Sequence, residues 1–234
     1  MTQLRNLDRT SLVAITLLLI TIVSSIGGYW FVHGELDLLK VITDFYANIS
    51  AELGSIAITV LVIDRINNER AINAEKKRLI NQMGSPNNAF ALEATRILRL
   101  EKWLTDGTLH GKDFSMADLR EAVLDNADLR GAWLSGANLN DAKLIDADLY
   151  DAWLSEADLT AANLPRANLQ KANLRGAKLH GAQLSGAWLE GAMLERADLQ
   201  NANLRLAKFD ETTILPDGTN WANDIDLTKF GAVV

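Results

Sequence analysis

One carboxylate interrupts an otherwise uncharged run, Glu52 in FYANISAELGSIAITVLVI from Phe45 to Ile63. On a helix, Asn48, Glu52, Ser55 and Thr59 fall at i, i+4, i+7 and i+11 and make one polar stripe. An ionisable group at the centre of a membrane-spanning helix costs about 2.5–3.5 kcal/mol on insertion scales, so it needs a partner. Three readings follow. A protonated Glu52 can hydrogen-bond hydroxyls of a neighbouring helix or a second subunit as a purely structural element. The same group can relay protons or ions. Or it can lie shallower, near the headgroups.

Chemistry is thin elsewhere. The three histidines, His33, His110 and His180, are scattered, and there is no cysteine. Metal sites, thiolate chemistry and histidine-based catalysis are therefore poorly supplied. No nucleophile–base pair and no phosphate-binding loop stands out. The expectation is a non-enzyme with no cofactor and no metal. The net charge is −7 and no region is strongly basic, which argues against nucleic acid as a partner.

Two apolar segments would have to position Glu52. Residues 11–32, SLVAITLLLITIVSSIGGYWFV, carry no charge across 22 residues. At about 1.5 Å per residue they reach roughly 33 Å, the thickness of a hydrocarbon core. A cleaved signal peptide fits less well, because the run is long and no small-x-small site follows closely. Phe45–Ile63 is the second span, followed at once by Asp64 and Arg65. Arg5 and Arg9 precede the pair, and Arg65, Arg70, Lys76, Lys77 and Arg78 follow it, whereas the loop between them holds only Lys40. The positive-inside rule then puts both termini in the cytoplasm. Thr21, Ser24 and Ser25 of the first span lie at a depth that suits Glu52 if the spans are antiparallel. Ala47, Ala51 and Ser55 form a small-xxx-small face, so the spans are expected to pack on one another or on a second copy.

Residues 64–104 read as a connector. The stretch 64–83 lacks Gly and Pro and continues the second span as a helix. Gly84-Ser85-Pro86-Asn87-Asn88 breaks it. Residues 89–104 form an amphipathic helix with Phe90, Ala94, Ile97 and Leu98 on one face and Trp103-Leu104 at its end. That face is expected to cover the first edge of the following domain; with Arg96, Arg99 and Lys102 nearby, a membrane-surface helix is the other option.

From Phe114 to Phe209 every fifth residue is Leu or Phe, twenty positions in all, and from Ala117 to Ala207 the residue two before each is Ala. Five residues on an α-helix advance a side chain by about 500°, so these leucines would spiral around it. A three-residue strand with Ala and Leu inward and the middle residue outward, followed by a two-residue corner, uses the period instead. Successive corners coil the chain, and coils stack at strand spacing of about 4.8 Å. Gly131, Gly136, Gly176, Gly181, Gly186 and Gly191 take the second corner position, where backbone freedom is most useful, and Pro165 takes the first.

The run of ADL, ANL, AWL and AKL fives resembles the pentapeptide-repeat family over about 100 residues. The resemblance implies a right-handed quadrilateral β-helix with four fives per coil, here five coils; the two apolar segments put a transmembrane α-helical hairpin ahead of it. ILPDGTNW (214–221) resembles the ending that closes the last coil in such proteins, and AELGSIAITVLVIDRINNER resembles a two-span module found ahead of these repeats in bacterial membrane proteins. The expected domains are 1–63 (two spans), 64–104 (connector), 105–220 (β-helix) and 221–234 (C-terminal cap).

With twenty residues per coil, the outward residues form four columns. One reads Asp113, Trp133, Trp153, Asn173, Met193; another ends Trp188, Lys208. Trp133 and Trp153 should lie one above the other, Met193 should extend their face, and Trp188 adds a further exposed aromatic. Contiguous exposed apolar surface marks a contact site; the tryptophans could instead pack within the chain. Aligned acids such as Asp128 and Asp148 could bind a cation, although solvated surface is the simpler account. The functional expectation is a scaffold anchored in the bacterial inner membrane, presenting a rigid cytoplasmic rod to a protein partner, with homo-oligomers formed through the spans. The alternatives are a Glu52-centred transport or channel role and, by analogy with soluble family members, DNA mimicry toward a topoisomerase.

Overall fold

The computed structural model describes Val23 and residues 38–234, with side chains from Ser55 onward except Ala57. The chain divides into two units, Met1–Glu69 and Arg70–Val234. The first predicted span, 11–32, lies outside the described residues apart from Val23. Helix α1 runs from Leu38 to Met83, so Phe45–Ile63 is helical and the helix continues through 64–83 as expected. Among the described residues, no helix is long and apolar enough to cross a membrane. The side chains of Asn48 and Glu52 lie outside the described ones. In the first unit Thr59 is exposed and its hydroxyl donates to the Ser55 carbonyl at 2.8 Å, within its own helix.

In the second unit the chain breaks at Gly84 and helix α2 runs from Asn88 to Leu100. Asn87 caps it, its side chain accepting from the Phe90 amide. The apolar reading to Leu104 overshoots by four residues. Lys102 takes a left-handed φ of 61° and the Trp103 amide turns back to the Leu98 carbonyl at 2.8 Å, a helix stop that needs no glycine in the sequence. The buried face is Ala91, Ala94, Thr95 and Leu98. Phe90, expected inside, is 59% exposed, because the stripe is rotated by one residue.

From Leu104 the β-helix begins. Every outward residue from Asp113 to Trp188 bridges in parallel the residue twenty later. Ala and Leu point into the bore and are buried from Ala117 to Leu204, and Ala207 in the last repeat is partly buried. The backbone bonding repeats with the sequence. In each five, the outward residue's amide donates to the coil before, as Trp153 does to the Ala132 carbonyl (2.9 Å). The Leu and second-corner amides donate to the coil after, as Leu154 does to Asn173 and Glu156 to Arg175. The next Ala closes the corner on the preceding Leu carbonyl, as Ala157 does on Leu154 at 3.1 Å. With φ of 55–71° at the second corner residue of every repeat, this is a type II turn.

Both ends are closed by the chain itself. At the start, the Asp118 amide donates to the Ser85 carbonyl (3.0 Å) and the Asp128 amide to Leu104 (2.8 Å). Asn88 donates its side-chain amide to the Asp118 and Arg120 carbonyls. The connector thus covers the first edge, as expected. At the far end one extra residue enters, so that Met193 bridges Ile214, twenty-one residues on. Asp210 and the buried Thr213 absorb the insertion by accepting from the Gly191 amide. The tail expected as a separate cap at 221–234 returns to the last coil, where Val233 bridges Asn203.

Candidate functional site

One backbone donor per repeat has no ladder partner, the amide of the first corner residue. The outward Asp or Asn two residues earlier supplies it. Asp113 accepts from the Ser115 amide at 2.9 Å, Asp148 from Tyr150 at 3.1 Å and Asn173 from Arg175 at 3.2 Å. Asp and Asn dominate the columns because they cap corners. Pro165 sits at the one first-corner position in the run with no N–H, so Asn163 before it has nothing to cap.

The acids are also paired. Arg130 bonds Asp128 at 2.7 Å and reaches Asp148 at 3.6 Å. Its guanidinium holds the Asp128 carboxyl below the usual carboxylate range. The aligned pair considered for a cation is already served by a guanidinium. Arg120–Asp118 (2.7 Å), Arg166–Asp146 (2.5 Å), Arg175–Glu195 (2.6 Å) and Lys178–Asp158 (3.3 Å) continue the pattern. Among the described residues, no group of three His, Asp or Glu side chains is arranged to hold a metal.

Against this regularity, Trp133 and Trp153 depart. They bridge one another in the ladder, with ring centroids 6.1 Å apart and a tilt of 32° instead of the flat stacking expected from strand spacing. Each stays half exposed, 55% and 51%. An indole cannot accept from the corner amide, so each tryptophan forgoes a cap that its neighbours make. The corner hydroxyls beside them, Ser135 and Ser155, bond each other at 3.0 Å.

Two expected members do not join the pair. Met193 is on the same face but two rungs beyond Trp153, with Asn173 between, and the closing Ile214 bridges its far side. Trp188 is in a different column, and Lys208 lies over its ring, 4.6 Å from the centroid. Sequence reasoning missed Met116. It is 70% exposed at the equivalent corner one coil before that of Trp133, and a Cβ on Gly136 would stand 2.5 Å from its Sδ. The signal was available: a glycine twenty residues after a large corner side chain leaves room for it to lie down. Ser55 and Thr59 of the predicted intramembrane stripe are exposed, and Glu52 and Asn48 remain outside the described side chains.

The family model described as pentapeptide repeats matches residues 104–141, 122–160, 142–181, 152–191 and 177–214. Among solved structures, the chain is 38% identical to the pentapeptide repeat protein Rfr23 from the cyanobacterium Cyanothece 51142, covering 44% of this chain and 69% of that one, with a TM-score of 0.41. It is 32% identical to a pentapeptide repeat protein from Nostoc Pcc 7120, covering 58% and 93% with a TM-score of 0.32. It is also 32% identical to HetL of Nostoc sp. strain PCC 7120, a pentapeptide repeat protein involved in heterocyst differentiation regulation, covering 47% and 64% with a TM-score of 0.18. The relationship rests on the repeat sequence and not on whole-chain superposition. No curated protein matches.

Proposed function

Because the chain belongs to the pentapeptide-repeat family, a fold that presents surface rather than performs chemistry, we propose that it is a membrane-anchored scaffold whose β-helix binds a protein partner through the Trp133–Trp153 face. The observation that carries the reading is the exposed tryptophan pair, placed at two capping positions where Asp or Asn would satisfy the corner. Large aromatic side chains are the residues that dominate protein contacts. The anchor rests on the uncharged stretch 11–32 and the apolar run to Ile63, with both termini cytoplasmic in a bacterial inner membrane and self-association through Ala47, Ala51 and Ser55.

DNA mimicry is the weaker alternative, since a duplex-like surface needs uncompensated negative charge and six of the coil acids carry an Arg or Lys partner. A transport role for Glu52 has no support beyond its place in the sequence. The test is affinity capture from detergent extract with the full chain, comparing wild type with a Trp133→Ala/Trp153→Ala variant. A partner retained by the first and lost by the second is the expected result. A variant that keeps every captured protein overturns the contact surface. Recovery of the full chain in the supernatant of an alkaline carbonate wash overturns the anchor.

A further inference from the structure

We propose that the Trp133–Trp153 pair seats a cationic side chain, an arginine or lysine on a basic segment of the protein partner. This rests on the reading of that face as the contact surface and names what it recognises.

The molecule itself shows the mode four times. Lys76 lies over Trp103 (5.2 Å to the centroid), Lys171 over Tyr150 (5.3 Å), Lys208 over Trp188 (4.6 Å) and Lys229 over Phe230 (4.6 Å). Phe209 and Trp221 stack on each other instead. Among the described residues, no cation lies over Trp133 or Trp153. The two most exposed indoles of the coils therefore present ring surface that the chain elsewhere covers with its own lysines.

The local charges point the same way. Glu156, three residues after Trp153, makes no ion pair among the described residues, and Gly176 leaves room for its carboxylate to lie along the corner. Three nearby cations are engaged, Arg130 by Asp128, Arg175 by Glu195 and Lys171 by the Tyr150 ring, whereas Lys112 and Arg196 make no ion pair among the described residues. What remains is aromatic surface with an uncompensated carboxylate three residues along the chain, lying over Gly176, on a chain of net charge −7. An aromatic face and an adjacent acid attract a cation together, and a planar guanidinium, weakly hydrated and able to stack, suits an indole best.

The test uses the full chain and a fluorophore-labelled peptide of alternating arginine and glycine, with the same peptide carrying neutral citrulline as its isostere, read by fluorescence anisotropy. The expected result is binding about tenfold tighter for arginine than for citrulline, equivalent to about 1.4 kcal/mol, within the range of a cation–π contact. Trp133→Leu/Trp153→Leu, which keeps apolar bulk but removes the ring faces, abolishes that preference. Glu156→Gln reduces it about threefold, and Trp188→Leu leaves it unchanged. All variants retain the wild-type circular dichroism. Equal binding of the two peptides, or an unchanged preference in the double leucine variant, overturns the proposal. If extract capture still requires both tryptophans while peptide charge is irrelevant, the contact surface stands and the cationic occupant falls. If the preference is Trp-dependent but capture is not, the occupant stands and the contact surface falls.

Discussion

Each residue type in the five has a separate physical task. Ala fits the bore, Leu fills it, Asp or Asn caps the corner amide, and the second corner residue accepts a left-handed backbone. Two predictions isolate these tasks. Asn173 accepts from the Arg175 amide at 3.2 Å, whereas Asn163 faces a proline. Asn173→Ala should cost about 1 kcal/mol, a typical cap, and Asn163→Ala should fall within about 0.5 kcal/mol of wild type; urea unfolding midpoints of the two variants check the difference. Gly181 has φ of +67° with nothing within 4 Å of an added Cβ, so only backbone strain opposes a side chain there. Gly181→Ala should cost about 1 kcal/mol in the same assay. The strain is tolerated elsewhere, as at Ala161 and Leu206 with φ of 57° and 59°, because the ladder holds both flanking strands.

The coil is the element of this protein, and a coil has no stability apart from its neighbours. Its leucines are stacked in contact, so a truncation leaves a cavity bounded by rigid backbone on four sides. Leu159 is fully buried in the middle coils. Leu159→Ala should cost about 2–5 kcal/mol, toward the upper end because a bridged wall cannot collapse into the space; the denaturant midpoint of the full chain measures it. The connector is the complementary element. Its burial of Leu79, Met83 and Leu98, and the bonds from Ser85, Asn88 and Leu104 to the first coil, turn an open ladder edge into a closed one.

Charge acts on the second unit as a whole. Asp118, Asp128 and Asp146 are held below the ordinary carboxylate range by the arginines that bond them, and Asp217 is lowered to about 2 by the Thr219 hydroxyl and Lys229. Carboxyls lowered in the folded state contribute stability that is complete above their unfolded value, about 3.9, and that is lost as pH falls through the folded value. The melting temperature of the β-helix should therefore be level from neutral pH to about pH 4 and decline from there toward pH 2. Asp217→Asn should make that decline shallower. Circular dichroism melts across the range check both.

The strict period was enough to read the bore; the coil of twenty came from the resemblance to pentapeptide repeats, and with it the four outward columns followed by counting along a one-dimensional stack. Glycine at a second corner and proline at a first were legible for the same reason: local backbone geometry depends on near neighbours in the chain. Three features needed the folded molecule. The end of α2 depends on the left-handed turn at Lys102, which residue type does not announce. The closure by Ile214 and Val233 depends on an inserted residue and a long return, where counting fails. That Trp188 is covered while Trp133 and Trp153 are not depends on which rings Lys208 and its fellow lysines reach, since a flexible side chain chooses its partner only once the backbone has brought several within range.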